Sequence, residues 1–287
     1  MAVPTHTNVS SLIERYDALF FDSFGVLVDG VDALPGAIDL VDRMNADGVN
    51  YFVVTNDASA SLASRFETFA RLGLNIPVEQ IINSGSLLTE YFNDNNLQGR
   101  PTLVLGTQDS KDFAIAAGGR LVEPNDPNNE PDVVIVGDNR PFDWEPMLEL
   151  LLSLLIRRFT EGNPVRLVLP NPDFIYPNGP GVYGFGAAAF VDLLDQALVR
   201  LHGPHESLIA SKLGKPYPPI FNEAVRRAGT SDALMIGDQL ETDIRGANSA
   251  GIDSAVVTTG ISRRTKPEEF EEVADELTPR YILASLI

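Results

Sequence analysis

Ala18-Leu19-Phe20-Phe21-Asp22-Ser23-Phe24-Gly25-Val26-Leu27 is a bulky apolar run that ends in an acid and a turn. Four such residues bounded by Gly read as a buried strand. Ligands of open α/β sheets sit beyond the carboxyl ends of the strands, which places Asp22 where chemistry is done. Two further runs end the same way. Tyr51-Phe52-Val53-Val54 leads into Thr55-Asn56, and Ala233-Leu234-Met235-Ile236 leads into Gly237-Asp238. Three strands would thus deliver a carboxylate, a hydroxyl with an amide, and a second carboxylate to one edge.

Working outward from these runs, strand-like segments alternate with helical patterns through all 287 residues, which favours a parallel sheet covered by helices. The spacing predicts helices near 35–46, 59–72, 86–93, 109–117, 144–159, 187–201, 220–228 and 267–276. Strands are expected at Thr102–Leu105, Val133–Val136, Val165–Leu169 and Ser254–Val257, with a last one near Arg280–Leu283. The chain is long enough for two cores, since single cores stop growing near ~250–300 residues. The expected organisation is a doubly wound, Rossmann-like α/β core from residues 1–84 and 209–287, with an inserted α/β domain over 85–208. Glu123–Pro131 reads as a polar loop.

A net charge of −19 argues against nucleic acid, because affinity for phosphate backbones rests on clustered Lys and Arg. No cysteine is present, which excludes disulfides and thiolate chemistry and is compatible with a cytoplasmic location. The greasiest stretch, Leu148–Ile156, is interrupted by Glu149 and Ser153 and falls short of the ~20 apolar residues that span a bilayer, so no membrane partner is expected.

Each candidate residue has a plain structural use beside a chemical one. Asp22 could cap its turn, or act as a nucleophile that forms an acyl phosphate. Asp238 and Asp243 lie on a loop that opens a helix; Asp243 alone suits a helix N-terminus, but with Asp22 the three form an oxygen-donor set for Mg²⁺. Thr55-Asn56 could cap a helix or offer a hydroxyl and an amide to phosphate oxygens. Lys215, between Gly214 and Pro216, is either surface decoration or the charge that relieves carboxylate–phosphate repulsion. Val136-Gly137-Asp138 imitates Gly237-Asp238, but no Thr-Asp follows it, and a turn at a strand end is the better reading. Trp144, with Leu148 and Leu151, follows helical spacing and reads as core.

Four segments in this order resemble the haloacid dehalogenase-like superfamily, in its nitrophenylphosphatase/nucleotidase-like branch (subfamily IIA) with a large α/β cap. They are FFDSFGVLVDG at 20–30, VVTNDASAS at 53–61, GKP at 214–216 and IGDQLETDIRGANSAG at 236–251. The inserted region is similar too, through PNPDFIYPNG at 170–179 and GFGAAAF at 184–190. The resemblance implies a hydrolase of a small phosphorylated metabolite with Asp22 as nucleophile. It implies Mg²⁺ held by Asp22, Asp238 and the main-chain carbonyl of Phe24, with Asp243 in support. Thr55 and Lys215 would bind the phosphoryl group, with Asn56 nearby, and the cap would be the place for a homodimer contact. Phe24 departs from the pattern, since the phosphatases of this superfamily carry an Asp there that protonates the leaving oxygen. Hydrolysis at carbon through Asp22, and a non-catalytic protein that binds phosphometabolites, therefore stand as alternatives.

Overall fold

The computed structural model describes residues 3–124, 126, 129–177, 182–262, 264 and 266–287. The chain falls into two units: Met1–Thr55, Leu62–Asn83 and Lys215–Ile287 form the first, and Asn56–Ser61 with Ser84–Gly214 form the second. The short piece Asn56–Ser61 belongs to the second unit because its backbone is tied there. Thr107 Oγ1 donates to Ser59 O at 2.7 Å, Ser110 Oγ donates to Ala58 O at 2.8 Å, and Ser61 N donates to Asp109 Oδ2 at 2.7 Å.

The strands in chain order are β1 (Thr5–His6), β2 (Ala18–Phe21), β3 (Tyr51–Thr55), β4 (Ile81–Asn83), β5 (Pro101–Leu105), β6 (Arg120–Leu121) and β7 (Val133–Val136). They continue as β8 (Arg166–Leu169), β9 (Ile175–Pro177), β10 (Tyr183–Phe185), β11 (Ser211–Lys212), β12 (Ala233–Gly237), β13 (Asp253–Val257) and β14 (Tyr281–Leu283).

The first unit holds a parallel seven-stranded sheet in the order β1-β14-β13-β12-β2-β3-β4. Its central strands β2, β3 and β12 are buried along their whole length, which is why they read as unbroken apolar runs rather than alternating ones. The helix Ala37–Asp47 turns Ala37, Leu40, Val41 and Met44 inward, at the spacing of one helical face. Gly48 ends it in the left-handed conformation. These side chains join Leu19, Phe21, Val53, Phe69 and Ile236 in one core cluster. β3 and β4 lie to one side of β2, while β12, β13 and β14 lie to the other. The crossovers thus diverge at β2, and the crevice beyond its carboxyl end is the switch point of the sheet.

The second unit has its own parallel sheet, β11-β8-β7-β5-β6, and a separate antiparallel hairpin of β9 and β10. Its core gathers Leu103, Val134, Leu151, Leu167, Val191 and Leu198. Trp144 packs against this core, stacked on Phe190 with ring centroids 3.4 Å apart, and its Nε1 donates to Asn139 O at 2.9 Å. In the expected 170–179 segment, residues 178 and 179 lie outside the described residues, as do 125, 127 and 128 of the polar loop.

One expected helix is absent. Residues 267–276 form only two 3₁₀ turns, Pro267–Phe270 and Asp275–Leu277. Glu268, Glu269, Glu271 and Glu272 would sit as like charges at i,i+3 and i,i+4 in an α-helix, with no basic residue between them to offset the repulsion. Among the described residues no helix is long and apolar enough to cross a membrane.

Candidate active site

Register brings the site together. Phe21 pairs with Ile236 on one side and Val53 on the other, so β12 runs one residue and β3 two residues beyond the end of β2, about 3–7 Å at ~3.3 Å per residue. Asp22 follows β2 directly, and its N–H continues the ladder to Ile236 O at 2.9 Å. Asp238 follows β12, and Thr55 closes β3; all three are buried. Asp243 is reached through a π-turn, Leu240–Ile244, which leads into the helix Arg245–Ala250. That turn folds Asp243 back, and its Oδ2 accepts from Gln239 N at 3.1 Å.

Asp22, Asp238 and Asp243 each offer a carboxylate oxygen, and these lie within 4.8 Å of one another. Among the described residues this is the one group of three or more His, Cys, Asp or Glu side chains so placed. Lys215 is drawn into it at 2% exposure, which settles its loop-decoration alternative: its Nζ lies 2.6 Å from Asp22 Oδ1 and 2.7 Å from Asp243 Oδ1. Burial pushes the Asp22 carboxyl up to about 7 against the pull of Lys215, and Asp243 adds to the rise. Asp238 is pushed well above the usual carboxylate range by burial and then by the charges of Asp22 and Asp243. Burial pulls Lys215 down, but Asp22 and Asp243 outweigh it and leave its ammonium more firmly protonated than usual.

The donor set fits Mg²⁺ on two grounds. Three carboxylates against one ammonium leave a deficit of two charges in a buried place, which a hard divalent cation matches. In addition, Asp238 Oδ1 is buried with no hydrogen-bond partner among the described residues, a state that costs ~1–3 kcal/mol or more unless something answers it. The other oxygen of Asp238 is fully engaged. Oδ2 accepts from Ile261 N at 2.6 Å, and a Cβ on Gly25 or on Gly260 would lie 2.4 Å or 1.9 Å from it. Gly25 is also held at φ +82°, so both its conformation and its surroundings exclude a side chain.

Of the other expected residues, Asn56 groups with the second unit, where its Nδ2 donates to Asp173 Oδ1 at 2.7 Å. Phe24 turns a ring that is 39% exposed, with the Arg65 guanidinium 5.7 Å from its centroid. Asp138 stands in the second unit at the end of β7, where its Oδ1 accepts from Asn139 N at 2.6 Å, and it takes no part in the acidic trio. The residues that sequence reasoning missed are Gly25, Thr259, Gly260 and Ile261. Of these Gly260 alone carried a signal, the Thr258-Thr259-Gly260 step directly after β13, where a strand runs into a residue without a side chain.

A model of haloacid dehalogenase-like hydrolases matches residues 19–120, and a HAD-hydrolase-like model matches residues 212–287. The chain is 27% identical over 255 residues to D-glycerol 3-phosphate phosphatase of Mycobacterium tuberculosis, covering 88% of this chain and spanning 66% of the length of that protein. Among solved structures, a possible sugar phosphatase of the HAD superfamily from Cytophaga hutchinsonii superposes with a TM-score of 0.85 at 28% identity, over 99% of both chains. A glycerol phosphate phosphatase from M. tuberculosis in complex with magnesium follows at a TM-score of 0.78 and 26% identity, over 96% of this chain and 77% of that one. With its switch-point carboxylates, its sheet order and these likenesses together, the chain belongs to the haloacid dehalogenase-like hydrolases.

Proposed function

We propose that this chain is a Mg²⁺-dependent phosphatase of a small phosphorylated metabolite, working through an aspartyl-phosphate on Asp22. The observation that carries the reading is the buried trio Asp22, Asp238 and Asp243 with Lys215 lodged against it. The relatives support the substrate class, since they are named for glycerol phosphate and sugar phosphate. Magnesium in one of them supports the metal.

Among the described residues the hydrogen bonds to the Asp22 carboxylate fall on Oδ1, from Lys215 Nζ at 2.6 Å and from Ser23 N at 2.7 Å. Oδ2 is therefore the oxygen that attacks phosphorus. As the Oδ2–P bond forms, the bond from phosphorus to the ester oxygen breaks and the leaving group carries off the electron pair. Water then attacks the same phosphorus, releasing inorganic phosphate and restoring the carboxylate, while its proton passes to solvent. Lys215 offsets the charge of Asp22 on the approach of an anionic substrate. Thr55 offers a hydroxyl to the phosphoryl oxygens, and Asn56 is assigned a supporting amide. Asp22, Asp238 and the Phe24 carbonyl would hold Mg²⁺, with Asp243 in support. When bound, the ion supplies neutralisation of the phosphoryl charge. The second unit takes the part of the inserted cap.

The test is release of inorganic phosphate from a panel of sugar, polyol, nucleotide and acyl phosphates, with Mg²⁺ and with EDTA, for the natural chain and for Asp22→Asn. Turnover should need both Mg²⁺ and Asp22, and beryllium fluoride with Mg²⁺ should trap at Asp22. Metal-independent turnover of a halogenated acid would establish hydrolysis at carbon instead. Phosphometabolite binding without any turnover would establish a binding protein in which Phe24 marks lost chemistry.

A further inference from the structure

The segment after β13 does more than close the sheet. Thr259 Oγ1 donates to Gly25 O at 2.8 Å, and Gly25 N donates to Val28 O at 2.8 Å, so both ends of residue 25 are fixed. One residue further on, Gly260 presses on Asp238, since a Cβ there would lie 1.9 Å from Oδ2. Ile261 N then donates to that same oxygen at 2.6 Å, and Ser262 N donates to Asp238 O at 3.0 Å. Four consecutive residues thus grip the turn after β2 and the carboxylate after β12, and they leave Asp238 Oδ1 buried with no partner among the described residues.

We infer that Thr259 is a positioning residue for the cation site. Its hydroxyl holds the Gly25–Val26 peptide through Gly25 O, and with Gly25 N tied to Val28 O residue 25 is fixed at both ends, which sets the adjoining Phe24–Gly25 peptide and the direction of the Phe24 carbonyl. The strap it opens occupies Oδ2 of Asp238, so that Oδ1 is the oxygen offered to a cation. The inference rests on the reading that the acidic trio holds Mg²⁺. It goes beyond that reading by assigning the geometry of two of the donors to residues outside the trio.

The experiment is a calorimetric Mg²⁺ titration of the full chain, paired with thermal unfolding in EDTA. Thr259→Val removes the hydroxyl and keeps the branched shape, whereas Thr259→Ser keeps the hydroxyl. Loosening this anchor predicts Mg²⁺ affinity about fivefold weaker in Thr259→Val, with the melting temperature in EDTA changed little because the bond is exposed and water can replace it. Thr259→Ser should restore the affinity. Gly260→Ala forces the Asp238 carboxylate to rotate and should weaken Mg²⁺ by about tenfold or more. Unchanged Mg²⁺ affinity in Thr259→Val overturns the assignment, and so does failure of Thr259→Ser to restore it. A fall in the EDTA melting temperature that tracks the loss of affinity also overturns it, because the strap would then be merely structural. Absence of Mg²⁺ uptake by the natural chain is a different result: it removes the metal site itself, and the strap's role with it.

Discussion

Phe24 carries the sharpest consequence of any single side chain. A positioned general acid contributes ~10²–10⁴-fold, and a phenyl ring has no proton to give. Leaving groups that are already stable anions, such as acyl and aryl phosphates, should therefore be hydrolysed far faster than alkyl phosphates. Phe24→Asp should raise alkyl phosphate turnover by ~10²–10⁴-fold while leaving Mg²⁺ affinity in place. Rates across a leaving-group series decide it, and fast alkyl turnover by the natural chain would mean that another group supplies the proton. Lys215 has a different burden, as the ammonium lodged between Asp22 and Asp243. Lys215→Met leaves buried carboxylates uncompensated and should cost ~3–5 kcal/mol of stability, read by urea unfolding in EDTA at about pH 8. At this scale Asp22, Thr55, Lys215 and Asp238 were legible because each ends a bulky strand or sits in a short glycine-bounded motif. Thr259 and Ile261 were not, because a hydroxyl and a main-chain N–H that act across 234 or 23 residues leave no local pattern.

Among the elements, the helix Ala187–His202 holds a buried carboxylate outside the acidic trio, Asp195. Its oxygens accept from Ala210 N at 3.2 and 3.3 Å, and burial pushes its carboxyl up to about 6. The folded state therefore holds this proton more tightly than the unfolded chain does. Stability from this group is complete below the ordinary carboxylate value of 3.8 and is lost as pH rises towards about 6. Asp195→Asn keeps an acceptor for Ala210 and removes the titration, so its stability should decline less than that of the natural chain between these limits. Parallel slopes in denaturant titrations at several pH values would show that the group is already compensated. Strands and amphipathic helices were the most legible elements, since a continuous apolar run or a 3.6-residue stripe is written locally. The acidic stretch at 267–276 misled because spacing alone does not register like-charge repulsion. The hairpin of β9 and β10 and the two-residue edge strands β1, β6 and β11 were too short to signal themselves.

For the molecule as a whole, the acidic trio lies entirely in the first unit, so Mg²⁺ should act selectively on that unit. Ligand at a hundredfold excess over Kd stabilises by ~2.7 kcal/mol. In scanning calorimetry the unfolding of the first unit should move upward with Mg²⁺, and that of the second should stay where it is. Asp238→Asn should abolish the shift and Asp138→Asn should not. Equal behaviour of the two variants would place the ion elsewhere. The α/β class was legible from the alternation of elements. The membership of Asn56–Ser61 was not, because it depends on Thr107, Ser110 and Asp109, about fifty residues further along.

The same sheet order bears on how the protein is made. Phe21 pairs with Ile236, and the separation of 236 − 21 = 215 residues spans the whole second unit. At ~5–20 residues per second, a ribosome needs roughly 10–40 s to travel that distance. Throughout that interval β2 is exposed along one edge of an unfinished sheet, and Asp22 has emerged without Lys215 or Asp238. Strand pairings this distant are also slow to close. Asp22 is synthesised well before Lys215 and Asp238, the groups that lie beside it in the folded chain.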